Sequence, residues 1–497
     1  MEPPEKEVET FKDQDIKQIK SRSFLSVSSL LAQSSYSAVL GFTAFFILTL
    51  KSGVHLLGIY NTVLAMMAFF SYFTNLGLAA AIIQKKEVEE KDLNTAFYIQ
   101  FFLSVIAVIV GFLLTNQLFK AYKDLPVNAI YLYWSILFSF FVLSFKTIPS
   151  ILLEKKILIY KVVLVQAIEN TLFYASVIIF SLLGFDIFSL VIAVLVRSTV
   201  GTIAIFVMNP WFPKLQFSIT SAKSLLKFGI PFQGNSFLAL IKDDLLIIYL
   251  GSVIGLTNLG YLTFGKKYAE FSIRLVMDNI NRVAFPLFSG FQNQKDLLKK
   301  SVEKIMFYES YLIFPIIIGA MFVFDSILHI IPGYYAKWHM ALFSFYFFSL
   351  SAFFVSLSSP FINLFNSVGK VKISVYFMIL WTVLTWILIP PFIQYFGFNG
   401  ISIAFFIMSL TFIFVFFKAK TIVDFSIKES FYVSLVSTVC MAVYLLIIRL
   451  ITVSYFDNRF FHVVLSIIGA GIVYLGVSYI LKGKQLYSSL QDLLKRK

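Results

Sequence analysis

The sequence is poor in the residues that most soluble chemistry depends on. Among 497 residues there are one cysteine and four histidines, and only 13% of the chain is charged, about half the usual share. The single cysteine, Cys440, lies in an apolar stretch, so an internal disulfide and a thiolate metal cluster are both excluded. His55, His329, His339 and His462 are scattered without metal-ligand spacing, so no metal and no cofactor is expected. No Walker-type phosphate loop occurs, which argues against direct use of ATP. Met1 to Arg22 is too long and too mixed in charge for a cleaved signal peptide and reads as a cytoplasmic lead-in. Its Phe11, Ile16 and Ile19 suit either a short amphipathic face on the membrane or a solvated tail.

What fills the chain instead is apolar: 59% of its residues are hydrophobic. The apolar runs are continuous over about 20 residues, the length of a membrane-crossing helix, and do not alternate over about 10 as in an outer-membrane barrel. This defines an all-α polytopic membrane protein. Fourteen spans are predicted, near 24–48, 57–83, 94–115, 127–148, 161–183, 187–208, 226–250, 256–288, 305–324, 339–366, 372–392, 399–417, 431–450 and 461–481. A net charge of +15 does not imply nucleic acid here, because no basic run is interleaved with exposed aromatics. The 59 phenylalanines and 25 tyrosines read as lipid-facing and packing residues, with Tyr and Trp at the interfaces.

Charge fixes the orientation. With the N-terminus inside, the inner segments carry 28 Lys and Arg and the outer segments six, the bias of the positive-inside rule. Residues 84–93, 289–304 and 482–497 are thus expected in the cytoplasm and 325–338 outside. The organisation predicted is a tail (1–23), a six-helix lobe (24–208), a linker (209–225), a second six-helix lobe (226–420), a helix pair (421–481) and a basic tail (482–497).

One stretch breaks the apolar rule. The seventh and eighth spans carry Lys242, Asp243, Asp244, Lys266, Lys267, Glu270, Arg274, Asp278 and Arg282. Each ionisable group near the bilayer centre costs about 2.5–3.5 kcal/mol on insertion scales, so nine facing lipid would cost on the order of 25 kcal/mol. That exceeds the usual net stability of a fold, about 5–15 kcal/mol. These groups are therefore expected to face a protein interior or a water-filled cavity, the working site of a membrane transporter. Lys266, Glu270, Arg274, Asp278 and Arg282 recur every four residues with alternating sign and can pair along the helix. Lys267 falls outside that ladder. Lys242, Asp243 and Asp244 are consecutive and point about 100° apart on an α-helix, and either carboxylate suits reversible protonation or sodium coordination. A structural salt bridge to the adjoining helix is the competing reading.

Elsewhere, Glu169 and Arg197 are expected at similar depth, as an ion pair or on the cavity wall. Lys146 and Glu309 are expected near inner helix ends, where snorkelling or hydration satisfies them. The polar start of the first span, with Ser26, Ser28, Ser29, Gln33, Ser34, Ser35 and Ser37, suits a hydrated path or helix-packing contacts.

An internal echo is visible: LGIY at 57–60 and LGY at 259–261, then Asp92–Leu93 and Asp296–Leu297. Six spans separate the copies, so two parallel halves related by a pseudo-two-fold axis along the membrane normal are expected. Residues 57–97 and 226–271 resemble the Wzx-type lipid-linked oligosaccharide flippases of the multidrug/oligosaccharidyl-lipid/polysaccharide exporter superfamily, over about 24–420. That resemblance implies two six-helix bundles around a V-shaped cavity, alternating access, and a polyprenyl-diphosphate-linked oligosaccharide as cargo. It also implies a cytoplasmic membrane location, which the absence of N-x-S/T sequons favours. Membrane lipids, and the polysaccharide polymerase and glycosyltransferases of the same pathway, are the partners it implies. A cation-coupled multidrug exporter of the same superfamily is the alternative. A membrane glycosyltransferase or polymerase is disfavoured, because the outer loops are short and hold no paired carboxylates for acid–base work.

Overall fold

The computed structural model describes residues 29, 32–85, 87–122, 124–156, 158–455 and 459–494. Side chains of some helical residues, Arg282 among them, lie outside that description, as do Ser26, Ser28 and the tail residues Phe11, Ile16 and Ile19. The described chain is helical throughout and contains no strand. Among the described residues, eleven helices are long and apolar enough to cross a membrane. The other three predicted spans are also helical, and two of them carry the charges.

Two compact units form, Met1–Thr257 and Asn258–Lys497. The helices that follow the 209–225 linker pack in the first unit, up to Thr257.

The first unit holds α1 (Ala32–Lys51), α2 (Val54–Asn75), α3 (Leu78–Gln84), α4 (Glu90–Leu113), α5 (Thr115–Ala121), α6 (Ala129–Lys155), α7 (Ile159–Leu182) and α8 (Ile187–Met208). It continues through α9 (Ile219–Ala239), a π turn at Leu240–Asp244 and α10 (Leu245–Ile254). The second predicted span is broken where Leu76 and Gly77 turn left-handed, with φ of 37° and 67°. The break has a packing cause. A β-carbon on Gly77 would stand 2.3 Å from the Gly229 carbonyl oxygen, so α9 passes backbone to backbone against this turn. At the other end of α2, a β-carbon on Gly58 would stand 1.9 Å from the Leu256 carbonyl oxygen. Glycine is what lets backbones approach this closely in membrane bundles.

Residues 209–218 are strapped to the ends of α4 and α6. Asn94 Oδ1 accepts from the Lys214 amide at 2.9 Å, Thr95 Oγ1 accepts from the Ser218 amide at 3.0 Å, and Asn209 donates to the Pro149 carbonyl at 2.9 Å. Asp92 closes a capping box with Glu89 and meets Lys85 at 2.6 Å. At the opposite end of the unit Tyr122 donates to the Ile248 carbonyl at 2.9 Å, and burial pushes its phenol above the ordinary range.

The second unit holds α11 (Leu256–Gly290, all but its first two residues), α12 (Lys295–Ile330), α13 (Tyr334–Trp338), α14 (Leu342–Ser367), α15 (Val371–Phe396), α16 (Asn399–Ser409), α17 (Phe412–Lys420), α18 (Ile427–Tyr455) and α19 (Arg459–Leu494, kinked at Lys482). One core cluster gathers Phe288, Met306, Phe361, Phe365 and Val415. Towards the other end of the unit Phe264 stacks on Trp338 at 3.9 Å. The C-terminal pair packs on α12 through a buried seam in which Ser310 donates to Ser434 and Tyr474 donates to the Tyr311 carbonyl.

Candidate functional site

Hydropathy locates an apolar stretch but not the helix that carries it, and this difference rearranges the first unit's charges. α6 runs on to Lys155, so Lys146 stands nine residues inside the helix and does not snorkel at its end. Its ammonium meets the Glu169 carboxylate of α7, a residue 3% exposed. The expected Glu169–Arg197 pair does not form. Gly201 of α8 makes room for the pair that does, since a β-carbon there would stand 1.8 Å from Glu169 Oε1.

Arg197 is thereby released. It makes no ion pair among the described residues, is exposed within its unit, and lies over the Phe173 ring at 5.5 Å. Tyr60 of α2 and Tyr174 of α7 are within its electrostatic reach. The start of α1 is tied beside them: Tyr36 and Thr171 share a hydrogen bond of 2.9 Å, and Asn170 donates to Ser37 at 3.0 Å. Of the polar residues expected on a hydrated path or in helix packing, Ser37 is a helix-packing contact.

Lys242, Asp243 and Asp244 do not lie on a regular α-helix. They form the second half of the π turn, where Lys242 Nζ meets Asp243 Oδ1 at 3.3 Å. A π turn widens the ring and narrows the angle between successive side chains, and such turns concentrate at functional sites. α2 packs directly against this turn.

In the second unit the ladder on α11 pairs in part. Glu270 meets Lys266 at 3.7 Å and Arg274 at 3.0 Å. Lys266 also packs over the Phe405 ring at 4.8 Å. Lys267, Arg274 and Asp278 are exposed within the unit, whereas Arg282 falls among the side chains not described. This unit therefore carries one carboxylate held between two cations, with a third cation, Lys267, beside them. Among the described residues no group of three His, Cys, Asp or Glu side chains could hold a metal ion. His329 lies 2.9 Å from the Asp325 carbonyl and stacks on Tyr335, and His55 lies 3.2 Å from Thr257 Oγ1.

Two helical units with ionisable groups set deep in apolar helices define a polytopic membrane protein of transporter type. Residues 54–342 match the family described as polysaccharide biosynthesis protein, and the chain belongs to that family. It is 21% identical over 366 residues, 72% of each chain, to the lipopolysaccharide biosynthesis protein WzxC of Escherichia coli strain K12. Over a shorter length, 26% of each chain, it is 21% identical to the succinoglycan biosynthesis transport protein ExoT of Rhizobium meliloti strain 1021. Its fold is similar to that of the lipid II flippase MurJ in an inward closed conformation, with a TM-score of 0.74 at 17% identity over 92% of this chain and 99% of that one. An inward-facing MATE-family multidrug transporter of the MOP superfamily follows at 0.62 and 14% identity, over 80% and 98%. These relatives support a Wzx-type flippase of that superfamily.

Proposed function

We propose that this protein is a flippase that moves a polyprenyl-diphosphate-linked oligosaccharide from the inner to the outer leaflet of the cytoplasmic membrane, for surface polysaccharide assembly. Both termini are cytoplasmic, as the charge bias requires. The two lobes at 24–208 and 226–420 exchange access by turns, and an ion gradient read by Asp243 or Asp244 supplies the energy. The helix pair at 421–481 is an addition to the second lobe.

The observation that carries this reading is the Lys146–Glu169 pair, because it leaves Arg197 exposed and, among the described residues, without a carboxylate, deep in an apolar helix. An unneutralised guanidinium at that depth is costly unless it serves something. Its fork of donors matches two phosphate oxygens at once, and Phe173 below it fixes its plane. Lys266, Lys267 and Arg274, gathered around Glu270, give the second lobe the same preference for an anion.

The test uses native protein in proteoliposomes with a fluorescent short-chain polyprenyl-diphosphate N-acetylglucosamine, its outer-leaflet fraction read by a membrane-impermeant quencher. Arg197→Ala should slow flipping at least tenfold with yield retained, and Arg197→Lys should fall between. Native-like flipping by Arg197→Ala would remove the guanidinium from the cargo path, and absence of flipping by the native protein would reject this cargo.

A further inference from the structure

Glu309 is the buried carboxyl for which this reading has no use. α12 begins at Lys295, ten residues before its apolar span, so Glu309 lies about four turns inside the helix. It is 1% exposed, and neither carboxyl oxygen has a hydrogen-bond partner among the described residues. The hydration expected for a helix-end residue is not available to it.

Its position along the helices follows from two apolar clusters. On the inner side, Met306 packs with Ala284 of α11 and Phe361 of α14. On the outer side, Ile313 packs with Ile273 of α11 and Ala352 of α14. Glu309 lies between these levels on α12, as Asn281 does on α11 and Ser359 on α14. Asn281 donates to Ser359 Oγ at 2.8 Å, and its own Oδ1 accepts from Asn363 at 2.8 Å. A thin polar layer is thus enclosed by apolar packing on both sides.

Among the described residues no charge within that layer answers Glu309. On α11 the nearest described ionisable groups are Asp278 and Arg274, both exposed, with Arg274 paired to Glu270, and the Arg282 side chain is not among those described. α14 contains no Asp, Glu, Lys, Arg or His along its length, and its one tyrosine, Tyr346, is near the outer end. α18 presents Ser430 and Ser434 to α12, while Glu429 turns to Lys482 of α19. Lys420 of α17 pairs with Asp424. An ionised carboxylate without donor or counter-ion in such surroundings is strongly disfavoured, and the neutral acid is far less so.

We propose that Glu309 is a proton-binding site: it holds its proton while α11, α12 and α14 are packed as they are here, and releases it when that packing opens. The step is a simple ionisation, with the proton leaving the carboxyl and the carboxylate gaining water. A sodium ion is the weaker occupant, since Asn281 Oδ1, an amide oxygen at that level, is already engaged. The inference does not depend on what the protein carries.

The test is infrared spectroscopy of the reconstituted full-length protein near neutral pH. The native protein should show the carbonyl stretch of a protonated carboxyl that Glu309→Gln lacks and Asp278→Asn retains. Identical spectra for native protein and Glu309→Gln would overturn the proposal, and so would a carbonyl band that emerges only when sodium is removed. Glu309→Gln and Glu309→Met should both unfold thermally at or above the native temperature, because a neutral, unpartnered acid is replaced. A marked drop for both would reveal a lost ionic partner and equally overturn it.

Discussion

Glu169 and Lys146 join α7 to α6 across Gly201 of α8, and the width of that glycine decides which cation the carboxylate meets. Breaking a buried pair by removing one partner costs about 3–5 kcal/mol, whereas replacing both with apolar groups of similar size is often neutral. Lys146→Met and Glu169→Leu singly should therefore lower thermal stability by about that amount, and the double variant should recover most of it. Thermal unfolding in detergent checks this. Equal losses in single and double variants would mean the pair carries no coupling.

Gly58 and Gly77 hold α2 against the backbones of Leu256 and Gly229. Gly58→Ala should destabilise by about 1–3 kcal/mol through overpacking. Gly53→Ala, where a β-carbon meets nothing within 4 Å, should leave stability unchanged. Parallel melting curves of the two alanines would show that the close approach is not needed.

Lys266 and Lys267 are neighbours with different surroundings. Lys266 is held by Glu270 and the Phe405 ring, while Lys267 is exposed. Lys266→Ala should mainly lower protein yield. Lys267→Ala should keep its yield and lose transport. The quenching assay with membrane yields read alongside separates the two, and normal transport by both would make the α11 charges structural.

Asp244→Asn and Asp243→Asn probe the energy source. The variant at the ion-reading position should make flipping insensitive to collapse of the proton or sodium gradient while leaving cargo binding intact. Flux in native vesicles that is unchanged when each gradient is collapsed would remove both aspartates from the mechanism.

Topology is checked by cysteine labelling in a Cys440→Ala background. Cysteines at Lys300 and Lys337 should react with an impermeant reagent from opposite sides of the membrane. Labelling from one side would overturn the count of fourteen spans.

Sequence alone determined the class of this protein, because the bilayer imposes its requirement locally: a span must be apolar over its own length and its flanking lysines must lie inside. Helical character, approximate boundaries and the unusual charge of α9 to α11 all follow from that, residue by residue, while the family was legible only as a resemblance of residues 57–97 and 226–271. What sequence could not decide was pairing. Glu169 was expected to meet Arg197 because both lie at similar depth, yet depth says nothing about which way each side chain turns. Lys146 reached Glu169 instead because Gly201 leaves the gap and because α6 continues well past its apolar stretch. Glu309 became a buried acid and not a hydrated one for the same reason, since α12 starts ten residues before hydropathy rises. The π turn at Lys242–Asp244 and the left-handed Leu76–Gly77 break are also tertiary outcomes, each against a helix packed on it. Hydropathy is a property of a segment, whereas a charge's partner is fixed by which helices cross and how closely their backbones can approach.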